Sequence, residues 1–271
     1  MEPMEQVVVL ARGLGSRMRK EDPAVALDAT QAAAAAGGVK AMIPIGRPFL
    51  DYVLAVTADA GYSRVCLVVA PEHGQIREYY SRLKPKRLQI EFAIQVAARG
   101  TADAVAAAEE AVGGQPFLVL NSDNLYPLEA LWALRGASGS AVVAFDQDSM
   151  LAGSNIPPER LSSFAVVEAD GDGFLKRIIE KPDERSLARL PRPLGVGMNC
   201  WRFTPTIFQA CRSIGPSPRG ELEITDAAQY AIDRLGERFH VFRCSEPVLD
   251  LSSRGDIESV AKRLAGVKVN L

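Results

Sequence analysis

What the chain has little of already narrows its class. Four cysteines (Cys66, Cys200, Cys211, Cys244) and two histidines (His73, His240) are scattered through 271 residues, with no C-x-x-C pair. That excludes a zinc knuckle and a disulfide framework, and leaves a buried free thiol as the expectation for each cysteine. Long apolar runs are missing too: Val7 to Ala11 and Val65 to Ala70 fall far short of the roughly 18 residues a membrane span requires. The start of the chain, with Glu2 and Glu5 and no basic stretch ahead of an apolar one, carries no secretory signal. The expected compartment is the cytoplasm, with no membrane partner. Charge of one sign is also scarce, because 31 basic residues against 33 acidic ones leave a net charge of -2. Nucleic acid is therefore not an expected partner. Neither a dinucleotide fingerprint G-x-G-x-x-G, nor a Walker A loop, nor a G-x-S-x-G elbow occurs, which sets aside the dehydrogenases and the serine hydrolases.

What remains is an ordinary globular composition, 48% apolar and 24% charged, on a chain long enough to bury a large core without a covalent staple. Short β-branched runs alternate with longer amphipathic stretches. Strands are expected at Val7 to Leu10, Val65 to Val69, Ile90 to Ile94 and Phe117 to Leu120, and helices at Pro48 to Ala60, His73 to Leu83 and Ala102 to Val112. Strands separated by helices pair in parallel, so the first half is α/β. Beyond Leu128 the pattern loosens. A helix over Leu128 to Leu134 and a strand over Val142 to Phe145 come first. Asp170-Gly171-Asp172-Gly173 then favours a hairpin between strands at Phe164 to Glu168 and Phe174 to Glu180. A strand at Val196 to Phe203, a helix at Thr225 to Leu235, a segment His240 to Arg243 and a helix after Arg254 follow. The expected fold class is α/β, a Rossmann-like doubly wound mixed sheet in a single domain over residues 1–271. Its nucleotide-binding half covers about 1–127 and its second half 128–271.

Ligands of open parallel sheets bind beyond the carboxyl ends of the strands, which directs attention to the turn after the first strand. It reads Leu10-Ala11-Arg12-Gly13-Leu14-Gly15-Ser16-Arg17-Met18, and Lys40-Ala41-Met42-Ile43-Pro44-Ile45 follows downstream. Glycines permit close backbone approach to a phosphate, and Arg17 could place a fork of donors against its oxygens. These two segments resemble the opening of the sugar-1-phosphate nucleotidylyltransferases, the nucleoside-diphosphate-sugar pyrophosphorylases. Further matches come in that family's order: Gln95 with Gly100-Thr101-Ala102-Asp103, Asn121-Ser122-Asp123-Asn124, Glu180-Lys181-Pro182, Gly195-Val196-Gly197-Met198-Asn199, Arg219 to Asp226, and Asp250. Together they cover residues 7 to 260. The segment Arg219 to Asp226 resembles a signature strongest among the thymidylyl- and uridylyltransferases.

The resemblance implies attack of a sugar-1-phosphate oxygen on the α-phosphorus of a nucleoside triphosphate, with dTTP or UTP and glucose 1-phosphate favoured. It assigns catalysis to Arg17 and Lys40, and the nucleotide to Leu10, Ala11, Gly13, Gly15, Ser16, Gln95, Gly100 and Thr101. The sugar phosphate falls to Asn124, Glu180, Lys181, Gly195, Gly197 and Asn199, and Mg2+ to Asp123 and Asp250. Gln95, with both a donor and an acceptor, suits a base edge. A homo-oligomer is implied by the resemblance alone. Alternatives are another acceptor, such as mannose 1-phosphate or an amino sugar phosphate, and a non-catalytic nucleotide-sugar sensor.

Four features depart from the family pattern. Arg12 stands where Gly is usual, and its side chain must either point away or supply an extra phosphate contact. Ser16 replaces Thr. The interval from Arg17 to Lys40 is long, and its alanine run predicts a helix over Asp28 to Ala36 inserted at the mouth of the site. After Asp250, Leu251-Ser252-Ser253 replaces the Gly-Thr that often follows.

Overall fold

The computed structural model describes residues 4–161, 164–180, 182–183, 185, 187, 189–190 and 192–271. Its strands are β1 (Gln6–Leu10), β2 (Pro44–Ile45), β3 (Arg47–Pro48), β4 (Arg64–Val69), β5 (Gln89–Ile94), β6 (Phe117–Asn121), β7 (Asn124–Leu125), β8 (Ser140–Asp146), β9 (Ala165–Ala169), β10 (Leu175–Ile179), β11 (Gly195–Phe203), β12 (Phe239–Cys244) and β13 (Leu249–Asp250). Nine of them form one sheet in the order β10-β9-β11-β6-β1-β4-β5, with β8 pairing both β11 and β12. β6, β1, β4 and β5 run parallel, as the alternation of strands and helices requires. β11 enters antiparallel to β6, β8 and β9, and β10 is antiparallel to β9, so the sheet is mixed.

The apolar runs of the first half are continuous because both faces of the sheet are covered. Val7 and Val9 fall in one core and Val8 in the other; Val65, Leu67 and Val69 oppose Cys66 and Val68; Leu118 and Leu120 oppose Phe117 and Val119. Successive strand residues point to opposite faces, so a strand buried on both sides must be apolar throughout. Helices Phe49–Asp59, Gly74–Leu83 and Leu128–Gly136 bring residues to the first core. Thr101–Ala106, Thr206–Ser213 and Ile224–Leu235 bring theirs to the second. There Phe117, Trp201, Phe203, Phe208 and Phe239 make stacked and edge-on contacts. All four cysteines are free and buried.

Two expectations change. The helix expected over Ala102 to Val112 is two short ones, Thr101–Ala106 and Glu109–Val112, broken at Ala108, whose φ of -90° and ψ of 0° leave the helical region. The helix Thr206–Ser213 follows Pro205 and had no assignment, since only eight residues carry its apolar face.

The long interval after Arg17 folds as a short helix α1 (Ser16–Arg19) and then α2 (Ala29–Gly37). Asp28 caps α2: its carboxylate accepts from the Gln31 backbone at 2.8 Å and the Gln31 side chain accepts in return, and the alanines propagate the helix. α2 ends at Gly38 in the left-handed conformation. The helix is anchored at both ends, by Gln31 Nε2 donating to Pro44 O at 3.3 Å and Arg19 Nη2 donating to Gly37 O at 3.1 Å.

Candidate active site

A cleft of about 380 Å³ opens at the carboxyl ends of β1 and β6, where the topology of an open sheet places a ligand. The whole of Leu10 to Arg17 lines one side of it, with Lys40 and Ala41, Gln95, Gly100 and Thr101, Asn121 to Asp123, Asn199 and Glu221 around the rest. The loop is a continuation of the ladder, for the Ala11 amide donates to Val68 O at 2.9 Å and the Ser122 amide to Leu10 O at 3.2 Å. Gly15 turns the chain with a φ of 61°, and a Cβ there would lie 2.0 Å from the carbonyl oxygen of Gly38. Only glycine fits, and the partner that forbids a side chain is the end of the inserted helix. The insertion thus packs against the loop instead of displacing Lys40.

Lys40 Nζ lies 2.6 Å from Asp123 Oδ2, with each side chain about one-fifth exposed (20% and 21%). The pair joins residues 83 positions apart across the cleft wall. Arg17 is exposed and makes no ion pair or hydrogen bond among the described residues.

Behind Asp123 a two-residue ribbon sets Asn124 opposite Asp250 and Leu125 opposite Leu249, while the Leu251 amide donates to Asp123 O at 2.8 Å. This brings the two aspartates of distant segments together. Asp250 is buried, accepts from Asn124 Nδ2 at 2.8 Å and Ser252 Oγ at 3.0 Å, and has Arg160 Nη2 3.1 Å from Oδ2. Arg160 also pairs with Asp256 at 2.9 Å. Burial first, and the Asp123 charge second, push the Asp250 carboxyl up to about 6, with Arg160 and Ser252 acting against them. Oδ2 of Asp250 is sealed from solvent and faces Arg160 Nη2 without a hydrogen bond, so Asp123 and Asp250 together keep carboxylate oxygens with coordination to spare. That donor set fits a cation such as Mg2+, which takes one or two carboxylates and completes its shell with phosphate oxygens and water. No cluster of three or more His, Cys, Asp or Glu among the described residues could hold a metal alone.

On the opposite side Gln95 is buried, and its Nε2 donates to Gly100 O at 3.0 Å and Asp103 Oδ2 at 2.9 Å. Both partners are acceptors only, which fixes the amide's orientation. Its donor is thereby taken by the protein, leaving the carbonyl oxygen for a ligand, a narrower role than the donor-and-acceptor pair read from the sequence. Gly100 has a φ of 116°, and a Cβ on it would strike Leu222 O at 2.4 Å. The Ala102 amide donates to Leu222 O and the Ile224 amide to Thr101 Oγ1, at 2.8 and 2.9 Å. These contacts seal the 219–226 segment onto the cleft, and Thr101 contributes its hydroxyl to that docking. Within the segment Arg219 Nη2 donates to the buried Glu223 at 2.5 Å. Burial opposes the Arg219 charge, but Glu223, Glu180 and Glu221 outweigh it and raise the pKa.

The residues expected on the sugar-phosphate side divide. Asn199, at a φ of 52°, lines the cleft, and its Oδ1 accepts from Trp201 Nε1 at 3.3 Å. Asn124 is buried between Asn121 and Asp250 and lies off the wall. Gly195 and Gly197 sit within β11 between β8 and β9, also off the wall. A Cβ on Gly195 would approach Ala144 Cβ to 2.7 Å, so close strand packing already accounts for that glycine. Glu180 is exposed beside Arg219, and Lys181 lies outside the described residues. Sequence reasoning missed Arg160 and Tyr126, and singled out Glu221 only as part of the segment Arg219 to Asp226. Tyr126, whose hydroxyl donates to Met198 O at 2.6 Å, had only its apolar type as a signal. Arg160 had none, because its partners Asp250 and Asp256 lie far along the chain.

Comparison with known proteins agrees with this geometry. Residues 35–245 match the family model described as nucleotidyl transferase. The chain is 31% identical over 231 residues to a glucose-1-phosphate thymidylyltransferase of Streptomyces antibioticus, covering 84% of this chain and 57% of that one. It is 28% identical over 236 residues to the low-salt glycan biosynthesis nucleotidyltransferase Agl11 of Haloferax volcanii, covering 83% and 58%. Against the UTP–glucose-1-phosphate uridylyltransferase AglF of the same organism it is 26% identical over 265 residues, covering 96% of each. The chain thus spans under three-fifths of the length of the first two relatives and nearly all of the third. The solved structure of a UDP-glucose pyrophosphorylase complexed with UDP-glucose superimposes with a TM-score of 0.75 at 18% identity, covering 98% of this chain and all of that one.

Proposed function

Because the chain belongs to the nucleotidyl transferase family, we propose that it transfers a nucleotidyl group from dTTP or UTP to glucose 1-phosphate, with Mg2+ as cofactor. A phosphate oxygen of the sugar phosphate attacks the α-phosphorus, the bond from that phosphorus to the α,β-bridging oxygen breaks, and pyrophosphate leaves with the bond's electrons. No protein nucleophile is required. The problem for the protein is to bring two anions together and to spread the charge of an in-line transition state.

The observation that carries this reading is the Lys40–Asp123 pair on the cleft wall, beside a glycine loop that presents Arg17 without a counter-charge. Arg17 takes the outer phosphates and the leaving group. Lys40, held ready by Asp123, takes the α-phosphate as the substrate's charge competes for it. Mg2+, when bound, would be held by Asp123 and Asp250 and would supply further neutralisation of phosphate charge. The Gln95 carbonyl oxygen suits the N3–H of uracil or thymine, the one donor those bases present on the pairing edge. The preference for dTTP and UTP rests on the likeness to a thymidylyltransferase and a uridylyltransferase. Asn199 and Glu180 would contact the sugar phosphate.

The test is pyrophosphate release by the purified protein over a grid of nucleoside triphosphates and sugar 1-phosphates, with Mg2+ and with EDTA. Release that requires both substrates, is abolished by EDTA and is fastest with dTTP or UTP and glucose 1-phosphate is the expected result. Release fastest with mannose 1-phosphate or an amino sugar phosphate would overturn the choice of acceptor. Nucleotide-sugar binding without release on the whole grid would overturn catalysis and identify a sensor.

A further inference from the structure

Arg12 is the residue that breaks the glycine pattern of the loop, and its environment is unlike that of three other guanidinium groups. Arg202 donates to Gly139 O, Arg219 to Glu223, and Arg160 faces Asp250 and Asp256. Arg12 lines the cleft, yet its Nε and Nη1 are closed off from solvent and have no hydrogen-bond partner among the described residues. Buried polar groups are almost always paired, and one that is not calls for an explanation. No carboxylate pairs with it. Its charge instead bears on the buried ring of His73, whose pKa is lowered first by burial, with Arg12 and Arg77 adding to the effect.

We propose that Arg12 binds the polyphosphate chain of the nucleoside triphosphate, its guanidinium donating to phosphate oxygens from the cleft wall. This rests on the nucleotidyl-transfer reading above. A guanidinium presents a rigid, planar fork of donors that matches phosphate oxygens, and it keeps its charge at every working pH. Its position selects the triphosphate over the sugar phosphate, because it stands on the loop of Leu10 to Arg17, all eight residues of which line the cleft. With Lys40 balanced by Asp123, Arg12 and Arg17 are the uncompensated cations of that wall among the described residues, facing a ligand with three to four negative charges. A glycine or alanine here would leave the triphosphate held by one side-chain cation fewer.

The probes are inorganic tripolyphosphate, dTTP and UTP, titrated by calorimetry into wild-type, Arg12→Ala and Arg12→Gln proteins, with the melting temperature of each unliganded protein. The expected result is binding of tripolyphosphate and of the preferred nucleotide weakened about 10- to 100-fold in both variants, the range for a lost charge-assisted pair. KM for the nucleotide should rise with little change in KM for the sugar phosphate, and Arg12→Lys should recover part of the loss. The unliganded melting temperature should not fall, since no protein hydrogen bond is removed. Retention of tripolyphosphate and nucleotide affinity within about twofold in a folded variant overturns the inference alone. A lower melting temperature with affinity retained assigns Arg12 a structural role and also overturns it. A wild-type protein that binds neither tripolyphosphate nor any nucleoside triphosphate overturns the underlying reading and this inference together.

Discussion

The loop of Leu10 to Arg17 and the cluster around Asp250 hold the same kinds of charge and treat them in opposite ways. On the loop, Arg17 is exposed and unpaired and Arg12 is enclosed without an acceptor. In the cluster, Arg160 faces both Asp250 and Asp256, Ser252 and Ser253 amides donate to Asp256 at 3.0 and 2.7 Å, and little solvent enters. The first region is short of anions and the second is rich in them. Such an imbalance is costly in a resting protein, and a ligand that brings phosphates to one side and a metal to the border between them would relieve both. The cations of the Asp250 cluster have protein partners, and Arg12 and Arg17 on the loop have none among the described residues.

Substitutions can break that comparison. The largest effect is expected at the open end: Arg17→Ala and Asp123→Asn should each lower kcat at least a hundredfold, because losing one preorganised charge contact costs about 3–4 kcal/mol. Their urea midpoints should stay close to wild type, which separates a site residue from a structural one. Arg160→Leu should do the reverse for stability. Removing one partner of a buried ion network leaves Asp250 and Asp256 uncompensated, and a loss of about 3–5 kcal/mol in urea unfolding is expected.

A third substitution tests the seam between loop and insertion. Gly15→Ala places a Cβ against Gly38 O in a left-handed backbone, so a loss of roughly 2 kcal/mol is expected from the conformation and the overlap together. Weaker nucleotide binding should accompany it, measured by calorimetry. The smallest effect concerns acid. Burial lowers the His73 pKa below its usual 6.5, so the unfolded chain takes up the proton more readily than the folded one. The stability from this neutral ring is present above about pH 6.5 and is lost as pH falls through the folded value. Between pH 7.5 and 5 the urea midpoint of wild type should fall further than that of His73→Gln; equal falls would remove His73 from the account.

Much of the fold was legible because the parallel core imposes its pattern on every residue. Continuous runs such as Val65 to Val69 have no polar side to show, and turns such as Asp170 to Gly173 use residues that suit few other conformations. The cleft lining was legible at Gly15, where a left-handed backbone against Gly38 excludes a side chain, and at Lys40 and Asp123, which meet on one wall. The site was not legible where a side chain's role depends on its neighbours. Gly195 reads as an approach point for a sugar, whereas strand packing against Ala144 already demands it. Thr101 lines the cleft, and its hydroxyl also accepts the Ile224 amide, a second role that nothing local marks. Arg160 has no signal of its own, because Asp250 lies ninety residues downstream and nothing local marks the pairing.

By itself the sequence determined most strands of the large sheet, the parallel first half, the glycine loop after the first strand and the helical nature of the insertion, since each follows from local periodicity, helix propensity and glycine placement. Only the tertiary structure decided where the insertion docks, that Lys40 still reaches Asp123, that Asp250 is buried behind it, and that Arg12 has no partner. Those are matters of which distant surfaces meet, and the energy of a charge is set by the groups and the solvent around it, not by its neighbours along the chain.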